Sequence, residues 1–111
     1  MKSEDRIQQE CVIWFHNTYQ DLRGLLFHVP NGGNRNAREG KKFKQIGVIA
    51  GVADLLLMFQ GNVYCFELKN EIGKQSPKQL KWQKKVEEQN FDYHVIRSLD
   101  EFQYAIKKIL I

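Results

Sequence analysis

An aspartate, a glutamate and a lysine stand at the ends of two successive apolar runs. Asp54 follows Gly51-Val52-Ala53 and opens Leu55 to Phe59, while Glu67-Leu68-Lys69 closes Val63 to Phe66. Two carboxylates and an ammonium that converge can hold a hard divalent cation and set water against a phosphodiester. On its own an E-x-K tripeptide is an ion pair on a solvated face. The chemistry therefore depends on whether the chain brings these three side chains to one place.

Gln60-Gly61-Asn62 reads as a hairpin turn between the two runs, so residues near 54 and 67–69 fall opposite each other across an antiparallel pair. Paired positions there have Cβ atoms roughly 4.5–5.5 Å apart, a span that one metal ion can bridge. Side chains alternate along a strand, which puts Cys65, Glu67 and Lys69 on one face and Phe66 and Leu68 on the other. The backbone carbonyl of Leu68, between the two functional groups, is a candidate third ligand. Mg²⁺ or Mn²⁺ is the expected cation, with Lys69 orienting the attacking water or offsetting charge in the transition state.

The elements around this hairpin follow from pattern and punctuation. Residues 4–20 carry Ile7, Cys11, Trp14, Phe15 and Thr18 at helical spacing, with Ser3 or Asp5 as cap. Leu25 to Val29 is a short strand stopped by Pro30-Asn31-Gly32-Gly33. A basic helix is expected over 35–46, and Gly47 and Gly51 break the chain before Asp54. Ser76-Pro77-Lys78-Gln79 joins an N-cap serine, a proline at the first helical position and a glutamine three residues on, which starts a helix running to about Asn90. Tyr93 to Ile96 is a further strand, and Ser98 with Glu101 opens a last helix whose Leu99, Phe102, Ile106, Ile109 and Leu110 share a face. The order α-β-α-β-β-α-β-α, with no repeat or linker, predicts one α/β domain over 1–111, a mixed four-stranded sheet flanked by helices.

Composition narrows the class. With 111 residues, 42% hydrophobic and 27% charged, the chain can build a modest core and is not depleted enough in apolar residues to be disordered. The formal charge of +4 permits a polyanionic partner without requiring one. No stretch approaches a membrane span, and Lys2 to Glu10 is too polar for a signal peptide, so no membrane partner is expected. The expected location is intracellular, in the cytoplasm of a bacterial or phage-infected cell. Cys11 and Cys65 have no CxxC or Cys/His pairing and read as reduced core thiols, not zinc ligands.

Several segments together resemble the PD-(D/E)XK nuclease superfamily, and within it the VRR-NUC family of virus-type replication-repair nucleases. His28-Val29-Pro30-Asn31-Gly32-Gly33-Asn34-Arg35 is similar to that family's H-x-P-N-G-G-x-R stretch. Gly47 to Asp54 resembles its G-x-x-x-G-x-x-D entry to the catalytic strand, Gln75 to Gln79 its Q-S-x-x-Q helix start, and Tyr93 to Ser98 its late strand. The likeness runs from about residue 4 to 107. Ala53 departs from it, standing where the superfamily often has proline before the aspartate, and removes no ligand.

The resemblance implies a restriction-endonuclease-like fold and metal-dependent phosphodiester hydrolysis, with Asp54 and Glu67 as ligands and Lys69 as catalytic lysine. It also implies a carboxylate from the first helix. Glu10 is the choice made here, since at 100° per residue it lies about 60° from Ile7 and flanks the apolar stripe; Glu4 is the alternative. Gln79 either closes the capping box or, as its family position suggests, reaches the metal-bound water or a phosphate. For DNA contacts the candidates are His28, the Asn31-Gly32-Gly33 backbone, Arg35, Arg38, Lys41, Lys42, Lys74 and Lys78, with Lys44, Lys81, Lys84 and Lys85 in the same two basic runs. Nothing in the chain reads base sequence. A structure-selective DNA endonuclease similar to a four-way junction resolvase, acting as a C₂ homodimer, is the resulting expectation. The competing reading is a catalytically silent DNA-binding module that keeps the fold.

Overall fold

The computed structural model describes residues 1–30, 41–42 and 44–111. Helix α1 (Glu4–Thr18) begins where the Ser3 hydroxyl accepts the Arg6 N–H at 3.1 Å, satisfying one of the donors a helix start leaves open. It buries Ile7, Cys11 and Phe15, one residue per turn. The helix stops at Thr18, two residues before the expected end, and a 3₁₀ turn over Gln20–Leu22 carries the chain into strand β1 (Leu26–His28).

The basic helix expected over 35–46 falls mostly outside the described residues, as do Asn31, Gly32, Gly33, Arg35 and Arg38; Lys41, Lys42, Lys44 and Gln45 are helical. Strands β2 (Leu55–Phe59) and β3 (Asn62–Leu68) form the expected hairpin. Its two turn residues, Gln60 at φ 48° and Gly61 at φ 82°, both take the positive angles of the type I′ turn whose twist matches the flanking strands. Helix α2 (Pro77–Glu88) follows, then β4 (Asp92–Ile96) and α3 (Leu99–Ile109), the latter capped by Ser98, whose hydroxyl accepts the Glu101 N–H at 3.2 Å.

The sheet order is β1-β2-β3-β4, antiparallel at the first two junctions and parallel between β3 and β4. A parallel neighbour needs a crossover, and α2 supplies it. Register then sorts the side chains. Leu55 pairs with Phe66 and Phe66 with His94, so these share a face with Leu57, Leu68 and Ile96. Helices α1 and α3 close over that face. Phe66 and Phe102 meet edge to face at 5.1 Å between ring centres, and Trp14 meets Phe102 at 6.0 Å. Ala105 joins this core beside Phe102 and Ile106, a position the sequence pattern does not include in the face.

Cys11 and Cys65 are both buried and free, and burial pushes their thiols up to about 12 and about 11. They are inert core thiols. Among the described residues no helix is long and apolar enough to cross a membrane.

Candidate active site

The second sheet face carries the chemistry. Cys65, Glu67 and Lys69 alternate out of it, Tyr93 and Val95 stand beside them on β4, and α2 lies across that side. The β2–β3 register ends at Leu55 opposite Phe66, so one further step sets Asp54 opposite Glu67. The step is taken up by a hydrogen bond: Asp54 Oδ2 accepts the Leu68 N–H at 2.8 Å. A backbone donor thereby fixes one carboxylate of the pair.

Glu67 is only 1% exposed. Its carboxyl is pushed up to about 8, first by burial and then by hydrogen bonding and charge from the neighbouring Asp54, with Lys69 and Tyr93 pulling the other way. Two acceptors side by side in a dry strand end lack positive charge. Lys69 answers part of that need, itself only 7% exposed. Its backbone N–H bonds the Ile96 carbonyl at 2.9 Å, anchoring it across to the end of β4.

Gln79 closes the capping box, one of the two roles the sequence allowed, and its amide also reaches Glu67. Its side-chain oxygen accepts the Ser76 N–H at 2.8 Å and its own N–H reaches Ser76 Oγ at 3.2 Å, which completes the capping box. The amide nitrogen, oriented by that cap, donates to Glu67 Oε2 at 3.1 Å. His28 sits on the backbone side of Asp54. His28 Nδ1 lies 2.8 Å from the Asp54 carbonyl and 3.1 Å from Gln8 Nε2. The Val29 N–H bonds the same carbonyl at 3.0 Å.

Solved structures supply an independent comparison of the fold. The chain superposes on a structure described as a VRR_NUC domain protein with a TM-score of 0.81 at 21% sequence identity, over 97% of this chain and 88% of that one. The chain has the VRR-NUC fold. A second structure, described as a VRR_NUC domain, matches with a TM-score of 0.63 at 19% identity, over 96% of this chain and 97% of that one. The sequence itself matches no family model and no curated protein.

Within this VRR-NUC fold the helix-one carboxylates are placed differently from the expectation. Glu10 is paired instead with two cations, Lys2 Nζ at 2.9 Å from just before the helix and Arg6 Nε at 3.4 Å on it. Its carboxyl is held below the ordinary range, chiefly by the hydrogen bond from Lys2. It lines a 490 Å³ cavity with Met1, Ile7, Glu71, Arg97 and Leu99, a group that includes neither Asp54 nor Glu67. Glu4, the alternative, lies beside the loop after β3, on the side of Lys69. A Cβ placed on Gly73 would lie 2.8 Å from Glu4 Oε2 and 3.5 Å from Lys69 Cδ. The Ser3 cap explains this, since it holds Glu4 in the first helical turn where the loop after β3 passes.

That loop is tied down by residues the sequence reading gave no role. Arg97 Nη1 donates to the carbonyls of Asn70 at 2.7 Å and Gly73 at 2.8 Å, and Asn70 Oδ1 accepts the N–H groups of Ile72 and Gly73. Tyr93, whose hydroxyl meets Glu67, and Gln75, which meets that hydroxyl, were likewise missed. Lys41, Lys42, Lys74 and Lys78 are exposed and make no contact with the carboxylate pair. Among the described residues no group of three or more His, Cys, Asp or Glu side chains is gathered closely enough to hold a metal ion. The pair Asp54–Glu67 is what the site offers.

Proposed function

We propose that the chain is a divalent-metal-dependent deoxyribonuclease that selects DNA by structure, with branched or four-way junction DNA as substrate. The observation that carries the reading is the buried Glu67 beside a part-buried Asp54, with Lys69 two residues on. A protein gains no stability from such a pair, because burying one carboxyl against another makes its ionised form costly. Functional sites are where that cost recurs.

The donor set fits a hard cation. Asp54 and Glu67, with the Leu68 carbonyl, would hold Mg²⁺ or Mn²⁺, which supplies Lewis acidity and a more acidic water. The remaining work falls to the chain. Lys69 carries a fixed ammonium to the phosphate, where negative charge develops during displacement. Leu68 N–H and the His28–Asp54 backbone contact keep Asp54 from turning away. Gln79 fixes Glu67 from the helix side. Lysines on α2 and in the basic stretch near residue 41 would bind backbone phosphates and set the register of the duplex. A homodimer would offer two such sites to a junction, and a monomer in light scattering with and without DNA would exclude it.

The test is cleavage of a panel of branched and linear DNAs with Mg²⁺ or Mn²⁺. Asp54→Asn and Glu67→Gln are expected to abolish cleavage while leaving DNA binding intact, and Lys69→Ala to slow it about 100- to 1000-fold. Unchanged cleavage by either carboxylate variant would overturn the proposal. Equal rates on all DNAs would overturn the structural selectivity alone.

A further inference from the structure

A second contact on the Glu67 carboxylate comes from Tyr93. Its hydroxyl lies 3.3 Å from Glu67 Oε1, while Gln79 donates to Oε2, so each oxygen has one protein donor and keeps lone-pair capacity for another partner. The direction of the hydrogen bond at Tyr93 is set from behind. Gln75 Nε2 donates to Gln83 Oε1 at 2.9 Å and to the Tyr93 hydroxyl oxygen at 3.4 Å. With its oxygen already accepting, the hydroxyl hydrogen must go to Glu67. The chain runs one way, from Gln75 through Tyr93 to the carboxylate.

Packing holds the ring for this task. Tyr93 pairs with Cys65 across the parallel β3–β4 ladder, and its ring lies against Trp82 of α2 with centres 6.1 Å apart. A carboxylate turns easily about its last torsion, because a terminal sp³–sp² bond has broad wells. Two donors on opposite oxygens remove that freedom.

We propose that Tyr93 is a positioning residue, its Gln75-directed hydroxyl holding the Glu67 carboxylate in the orientation that receives the divalent cation. This rests on the nuclease reading of the Asp54–Glu67 pair. Partners that orient a ligating side chain are typically worth about 10- to 100-fold in metal affinity or activity.

The experiment is calorimetric titration of Mn²⁺ into the DNA-free protein, alongside cleavage kinetics over a range of Mn²⁺ concentrations. Tyr93→Phe keeps the ring and removes only the hydroxyl. It is expected to weaken Mn²⁺ binding about 10- to 100-fold, to lower kcat at limiting Mn²⁺ with recovery at high Mn²⁺, and to leave KM for DNA unchanged. Gln75→Leu leaves the hydroxyl in place without its guide and should shift Mn²⁺ affinity the same way by less; it carries the test if the phenylalanine variant fails to fold. Wild-type Mn²⁺ affinity in a folded Tyr93→Phe protein, or in Gln75→Leu should that variant not fold, overturns the positioning role and leaves the nuclease reading standing. A wild-type protein that binds no Mn²⁺ and cleaves no DNA overturns both.

Discussion

Burying Glu67 beside Asp54 sets up a conflict that pH exposes. The Glu67 carboxyl is raised to about 8 in the folded protein, against about 4.3 in an unfolded chain. A raised acid binds its proton more tightly when folded, so its contribution is fully present below the unfolded value and is lost as pH rises through the folded one. The metal-free protein should therefore lose stability between about pH 4.5 and 8 through this group. In EDTA, the Tm difference between Glu67→Gln and wild type should widen over that window in favour of the glutamine. Parallel Tm profiles for the two proteins would show that burial does not strain this carboxyl. At the same scale, strand alternation and one hairpin made Asp54, Glu67 and Lys69 legible in the sequence. The helix-one carboxylate was not legible, because azimuth on a helix says nothing of which end of it meets the sheet. Lys2 and Arg6 pair with Glu10 instead.

Helix α2 joins the local and the functional in one residue. The motif that starts it, Ser76-Pro77-Lys78-Gln79, is a stop-and-start signal readable from sequence, yet its cap is also what aims the Gln79 amide at Glu67. The loop before β2 is fitted to the same helix start. Gly51 takes φ +87°, and a Cβ there would strike the Lys78 carbonyl and come within 2.9 Å of the Gln79 N–H. Sequence marked Gly51 as a break before the catalytic strand; its contact with α2 depends on a packing that no local pattern encodes. Gly51→Ala meets both a strained backbone angle and a clash, and should cost about 1–3 kcal/mol. For a chain of this size each kcal/mol lowers Tm by roughly 4–8 °C. Because the clash pushes on Gln79, cleavage should fall beyond what the loss of folded protein accounts for. A variant with wild-type Tm and wild-type rate would show that the loop and the helix start are not coupled.

The whole molecule divides its labour between two sheet faces, one closed by α1 and α3 over a dry core and one given to the site under α2. The mixed sheet and its helices were readable from periodicity and caps. The parallel pairing of β4 against β3 was not, and with it went Tyr93, since no residue of either strand announces which neighbour it will take. The charge of the molecule follows the same division. Lys78, Lys81 and Lys85 are all exposed on α2, at spacings of three and four residues, while Gln79, Trp82 and Val86 turn half-buried toward the sheet. A net charge of +4 is too small to hold DNA by its general field, so binding should depend on where these lysines stand. Each lysine that meets a phosphate releases about one counterion, which gives the affinity a linear dependence on log salt. With the Asp54→Asn protein to prevent cleavage, Lys81→Ala and Lys85→Ala should each weaken binding and reduce the salt slope by about one, whatever the base sequence. An unchanged slope in both would place the DNA on another surface and leave the lysine stripe as a solvated helix face.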